Sequence, residues 1–282
     1  MTARLRSGIA LAAVVLLTSA CDCGGASSAP RVDGPWPYRR CHLAMPELDE
    51  PVEGGGLRFV PDERALRVEG LPPSFRLAIA SGGRADAPAA DLYVVIDPVP
   101  TERPTEPRLV LPGAAPIPES IGDAIDLTGF RTVRLGPLEL AVVPGTPDGR
   151  YAEAAEPCGF GDDDVAGLAL EEPASDVHRV LLAYAGPAGV PSTVGHMGQD
   201  AGSSLVRRVM DETHASGALF AFPTTQLERG ASPPTWDRVE PVSPASGPAV
   251  VRADGGRVRP GWTVFEVTER GLARLDSGGG PD

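Results

Sequence analysis

The chain contains no lysine; all 25 of its basic residues are arginine. That removes the nucleotide-binding phosphate loop, whose lysine reaches the terminal phosphates, and the Gly-rich stretch 186–193 (GPAGVPST) reads as an ordinary loop. There are only four cysteines and four histidines, with no C-x-x-C and no regular Cys/His spacing, so a zinc ribbon or finger is excluded. No G-x-S-x-G occurs either: Ala80-Ser81-Gly82-Gly83 lacks the first glycine of a nucleophile elbow. Cations are outnumbered, the formal net charge being −13. Nucleic acid is therefore a poor partner, because phosphate contacts need clustered cations, and the body as a whole has no electrostatic attraction to anionic lipid.

Long hydrophobic runs are missing as well. The longest, 8–17 (GIALAAVVLL), would reach about 15 Å as a helix, half the hydrocarbon thickness of a bilayer. Preceded by Arg4 and Arg6 and followed by Thr18-Ser19-Ala20-Cys21, it has the layout of an export signal. Small residues before a cysteine resemble the bacterial lipobox, although Thr18 stands where an aliphatic residue is usual. The resemblance implies that residues 1–20 are removed and that Cys21 is acylated, which anchors the chain to a membrane of the cell envelope. The alternative is ordinary secretory cleavage after Ala20. Loss of Arg4 and Arg6 takes the net charge to about −15.

The small, polar residues after Cys21 (DCGGASSAP) predict a tether, taken here as 21–50. Export permits disulfides. With Cys21 carrying lipid, Cys23, Cys41 and Cys158 remain; Cys41–Cys158 is the first choice of pairing and Cys23–Cys41 the second.

From residue 51 to 275 the sequence reads as one domain, with 276–282 a disordered tail. Alternating patterns at 57–60 (LRFV) and 65–69 (ALRVE) predict a hairpin. The runs 75–80 (FRLAIA), 91–96 (DLYVVI), 108–111 (RLVL) and 178–183 (HRVLLA) predict strands, the nearly continuous apolar ones buried on both faces. Segments 131–135 and 138–143, separated by Gly136-Pro137, predict another hairpin. Residues 203–215 (SSLVRRVMDETHA) predict a helix, with Leu205, Val206, Val209 and Met210 on one face behind a serine cap; 119–127 is a second, short helix candidate. A strand at 217–222 follows, and 249–252, 263–269 and 272–275 predict a late antiparallel group. The fold class expected is α/β or α+β, strand-rich, with more than one sheet.

Each core strand ends in a small-residue turn. The order of these turns resembles the calcineurin-like metallophosphoesterases, whose strand-end loops read D-x-H, G-D, G-N-H-D/E, a His, G-H-x-H and N-P-G. The corresponding places here are IASGGR (79–84), VVIDP (94–98), VLPGAAP (110–116), LLAYAGP (181–187), LFAFPTT (219–225) and VRPGW (258–262), so the likeness spans about 57–275. It implies a β-sandwich flanked by helices. It also implies a stripped site: Gly82 and Arg84 stand for the first Asp and His, Ala114 and Ala115 for the Asn and His, Tyr184 for the next His, and Phe222 and Thr224 for the last pair. Asp97 alone matches a ligand. A two-metal phosphoesterase centre needs several anionic or imidazole ligands converging within about 4 Å. The resemblance thus implies a non-catalytic relative with no resident cofactor, acting by binding or assembly toward a protein or glycan.

Two other readings stay open. An active hydrolase could draw unusual ligands from Asp97, Asp162, His196 and Asp200; or the chain could be a structural envelope protein of unrelated β-rich fold. The run Asp162-Asp163-Asp164 lacks the D-x-D-x-D-G periodicity of a calcium loop and reads as a charged surface loop. His42, His178 and His214 suggest no convergence by spacing. Trp36, Tyr38, Trp236 and Trp262 read as packing aromatics rather than a ligand platform.

Overall fold

The structure is a computed structural model that describes residues 38–81, 88–96, 107–113, 117, 123–147, 158–189, 202–221, 249–251, 253–254, 257–258 and 261–278. In chain order the strands are β1 (Val52–Gly54), β2 (Leu57–Asp62), β3 (Ala65–Glu69), β4 (Phe75–Ser81), β5 (Leu92–Ile96), β6 (Arg108–Leu111), β7 (Ile125–Asp126), β8 (Thr132–Leu135) and β9 (Leu138–Val143). They continue as β10 (Thr146–Pro147), β11 (Gly159–Phe160), β12 (His178–Ala183), β13 (Ala218–Ala221), β14 (Ala249–Val251), β15 (Ala253–Asp254), β16 (Arg257–Val258), β17 (Gly261–Thr268) and β18 (Gly271–Gly278). The described α-helices are α1 (Val165–Leu168) and α2 (Ser204–Glu212). The fold is α+β and strand-rich, with mixed sheets.

One sheet has the order β18-β17-β4-β5-β6-β7, with β4 to β7 parallel and β17 antiparallel to both of its neighbours, β4 and β18. The other runs β1-β2-β3-β8-β9-β12-β13-β14, with β9, β12, β13 and β14 mutually parallel. Strand periodicity sorts the side chains into layers. Leu77, Ile79, Leu92, Val94, Ile96, Leu109 and Leu111 from the first sheet meet Leu140, Val142, Val180, Leu182 and Leu219 from the second in one apolar cluster. The intervening residues Ala141, Val143, Leu181, Ala183, Ala218 and Phe220 point the other way, onto Val165 and Leu168 of α1 and Leu205, Val206 and Val209 of α2. The result is a two-sheet sandwich with a helical layer on the outside of the eight-stranded sheet.

Helix α2 begins as predicted, with the Ser203 hydroxyl accepting from the Val206 N–H at 3.4 Å. Other expectations are corrected. Ile125–Asp126, inside the predicted 119–127 helix, is an edge strand parallel to β6; the Asp126 carboxylate accepts from the Thr128 N–H at 2.6 Å, a local turn that competes with helix. β14 does not join the late antiparallel group but extends the other sheet, parallel to β13. β18 continues to Gly278, past the predicted end of the domain at 275.

The predicted tether also ends earlier than residue 50. From Tyr38 the chain lies on the domain, Arg39 bridging to Cys158 and Cys41 and His42 being buried. Cys41 and Cys158 form a disulfide, the first of the two pairings expected, across 117 residues of sequence. Closing a loop of that length is worth about 4 to 5 kcal/mol in the chain-entropy account. The signal region and Cys21 lie outside the described residues.

Candidate functional site

Parallel strands place the loops that follow them on one edge, and that edge is where ligands collect in open α/β sheets. In the six-stranded sheet Ser81, Ile96 and Leu111 stand in register at the carboxyl ends of β4, β5 and β6. In the eight-stranded sheet Val143 and Ala183 do the same for β9 and β12. One hydrogen bond joins the two rows: the Gly145 N–H, two residues past β9, donates to the Pro112 carbonyl, just past β6, at 2.8 Å. The carboxyl ends of both sheets therefore share a rim of the sandwich.

This rim is where the resemblance puts its vestigial site. Gly82, Arg84, Asp97, Ala114, Ala115, Phe222 and Thr224 lie outside the described residues, as do His196 and Asp200. Tyr184 is described. It is fully buried in the cluster between the sheets, an aromatic filling a place that a solvent-facing ligand would need open. The described stretches after β6, β9 and β12, at 112–113, 144–147 and 184–189, are built mainly from Pro, Gly and Ala with Thr146 and Tyr184, and carry no carboxylate, imidazole or thiol. Among the described residues no three His, Cys, Asp or Glu side chains gather as a metal centre requires.

Beside this rim sits a polar cluster that the sequence did not announce. Asp164, 6% exposed, accepts from the Gly161 N–H at 2.8 Å and from the Tyr38 hydroxyl at 3.3 Å. Its other oxygen faces Arg40 Nε at 3.0 Å and His42 Nε2 at 3.4 Å. Tyr38 lies on Gly159 and Gly161, where an added Cβ would come within 2.8 Å of its ring and 2.6 Å of its hydroxyl. The cluster and the neighbouring disulfide pin the segment 38–43 to β11 and the turn at 162–164. His42 is 1% exposed and its Nδ1 has no hydrogen-bond partner. Burial holds its pKa below the ordinary value; Arg131, Arg40 and Arg64 act in the same direction, and Asp164 against it.

The acidic run separates accordingly. Asp164 is an internal hub, whereas Asp162 pairs with Arg208 at 2.8 Å and Asp163 is exposed, so the three do not converge. The surface-loop expectation holds for Asp162 and Asp163 and fails for Asp164. His178 contacts the Glu269 carbonyl at 2.9 Å and His214 follows the Thr213 cap of α2 with a positive φ of 52°, so the described histidines occupy separate places.

Comparison with family models, with curated proteins and with solved structures finds no match for this chain.

Proposed function

We propose that this chain is a bacterial cell-envelope lipoprotein, acylated at Cys21, whose sandwich domain is a non-catalytic relative of the metallophosphoesterases and acts by binding or assembly. The observation that supports the domain reading is the shared rim: five of the six stretches that resemble the family's loops follow parallel strands of two facing sheets, and the described parts after β6 and β12 are composed of Pro, Gly, Ala and a buried Tyr. The described part of such a rim offers shape and backbone groups, not Lewis-acid or proton-transfer chemistry. The anchoring reading is supported by Arg4, Arg6, the ten-residue apolar run and the small residues before Cys21.

The experiment that tests the anchor is expression in an exporting bacterium. The N-terminal peptide should carry a diacylglyceryl mass at Cys21, and Cys21→Ser should release the protein from the membrane fraction. Undiminished membrane retention of Cys21→Ser with no lipid mass on the wild-type peptide would overturn this reading.

A further inference from the structure

The polar cluster around Asp164 adjoins a second group whose charges are not balanced. Arg64 and Arg131 immediately precede the parallel strands β3 and β8, where Ala65 pairs with Thr132. The Arg131 N–H donates to the Arg64 carbonyl at 2.6 Å, and the Arg131 carbonyl accepts from the Val142 N–H at 2.8 Å. Sheet pairing thus fixes the two arginines next to each other, and both are half-buried. Each guanidinium directs one N–H at a backbone carbonyl, Arg64 at Ala44 (2.5 Å) and Arg131 at Gly167 (2.6 Å), which leaves most of its donors for another acceptor. Neither meets a carboxylate among the described residues. Burial and the charge of Arg64 lower the pKa of Arg131, the mark of like charges held together away from bulk water.

His42 carries the same imbalance inward. Its Nε2 faces Asp164, so Nδ1, on the far edge of the imidazole, points away from that carboxylate, and this buried nitrogen has no hydrogen-bond partner. The charged groups that bear on the ring are Asp164, Arg40, Arg64 and Arg131, with Tyr38 bonded to Asp164 beside them. Arg40 and Asp164 form a pair at 3.0 Å. What is left over is the positive charge of Arg64 and Arg131 together, in a chain whose formal net charge is −13.

We propose that Arg64 and Arg131 bind a doubly charged oxyanion, sulfate or phosphate, free or as the end group of a larger molecule. Charge selects this class: a carboxylate neutralises one guanidinium, whereas a dianion neutralises both, and the planar fork of arginine matches its oxygens. Binding reaches His42 as well. The two arginines oppose its protonation, and a dianion between them cancels that opposition. Occupancy therefore raises the pKa of His42, and by linkage protonation of His42 tightens binding. Neither Cys21 nor a metal takes part, so the site stands or falls apart from the anchor and from the family resemblance.

The test uses the full chain with its Cys41–Cys158 bond intact and follows the His42 ring by NMR, its signal assigned by its loss in His42→Gln. Sulfate is the main probe because it stays doubly charged while His42 titrates; sodium chloride at equal ionic strength is the blank. Saturating sulfate should raise the His42 midpoint by about 0.5 pH or more, a shift read on the wild type without any substitution. Arg64→Gln and Arg131→Gln should each weaken sulfate binding about tenfold or more, the order expected for a lost charge-assisted bond. Arg76→Gln, at an exposed position on the six-stranded sheet, should leave it unchanged. Inorganic phosphate binding more tightly than glycerol 2-phosphate would assign a free ion, and the reverse order the end group of a larger molecule. A His42 midpoint that sulfate moves no further than chloride does overturns the site. So does sulfate binding that both glutamine variants retain, or acetate binding as tightly as sulfate.

Discussion

His42 is surrounded by groups of both signs: Asp164 favours its protonated form, while Arg40, Arg64 and Arg131 oppose it, and burial opposes it most. The unfolded chain takes up this proton near the ordinary value of 6.5; the folded protein does so only at lower pH. Just below 6.5 the unfolded state therefore binds more protons, and stability falls as pH falls. Above 6.5 the contribution is complete. Urea unfolding of the wild type should show a midpoint that drops between pH 7.5 and 5.5, with a shallower drop in His42→Gln; equal slopes would contradict this account of the cluster. None of the geometry was readable from spacing. Tyr38 and Asp164 are 126 residues apart, and the one hint that they meet is that Cys41 and Cys158, three and six residues from them, were the preferred pair.

Among the described elements, the junction after β9 is tightly constrained. Gly145 has φ +88°, and a Cβ there would stand 2.3 Å from Cys158 C. Gly145→Ala should cost about 2 kcal/mol or more, since a strained positive φ and a backbone collision coincide at the point that joins the two rows of strand ends. An unchanged denaturation midpoint would show that the rim relaxes freely. Strands buried on both faces, such as β5 and β12, were readable because unbroken apolar runs leave few alternatives, and α2 because a cap precedes a 3.6-residue period. β7 was not, because two residues carry no period. Nor was the transfer of β14 to the far sheet: its three residues (AVV) suit either sheet, and long-range pairing decides where they go.

At the scale of the molecule, two sheets with parallel cores present their carboxyl ends to a common edge, the arrangement in which α/β proteins place chemistry. The described part of that edge is furnished with residues that fill and turn the chain. The sequence reading reached the small-residue turns after β6 and β12; which side chains face one another across the rim was beyond it, and of the compared ligand positions Tyr184 is the one among the described residues. The proposal that the domain binds rather than catalyses turns on metal and turnover together. The most direct measurement is metal analysis of the purified, acylated, disulfide-bonded protein, with hydrolysis of phosphate mono- and diesters assayed on the same preparation. The account predicts less than a tenth of an equivalent of Mn, Zn or Fe, on the order expected where ligands do not converge, and hydrolysis no faster than that by Asp97→Ala. One or more equivalents of bound metal, with metal-dependent turnover that Asp97→Ala abolishes, would contradict it.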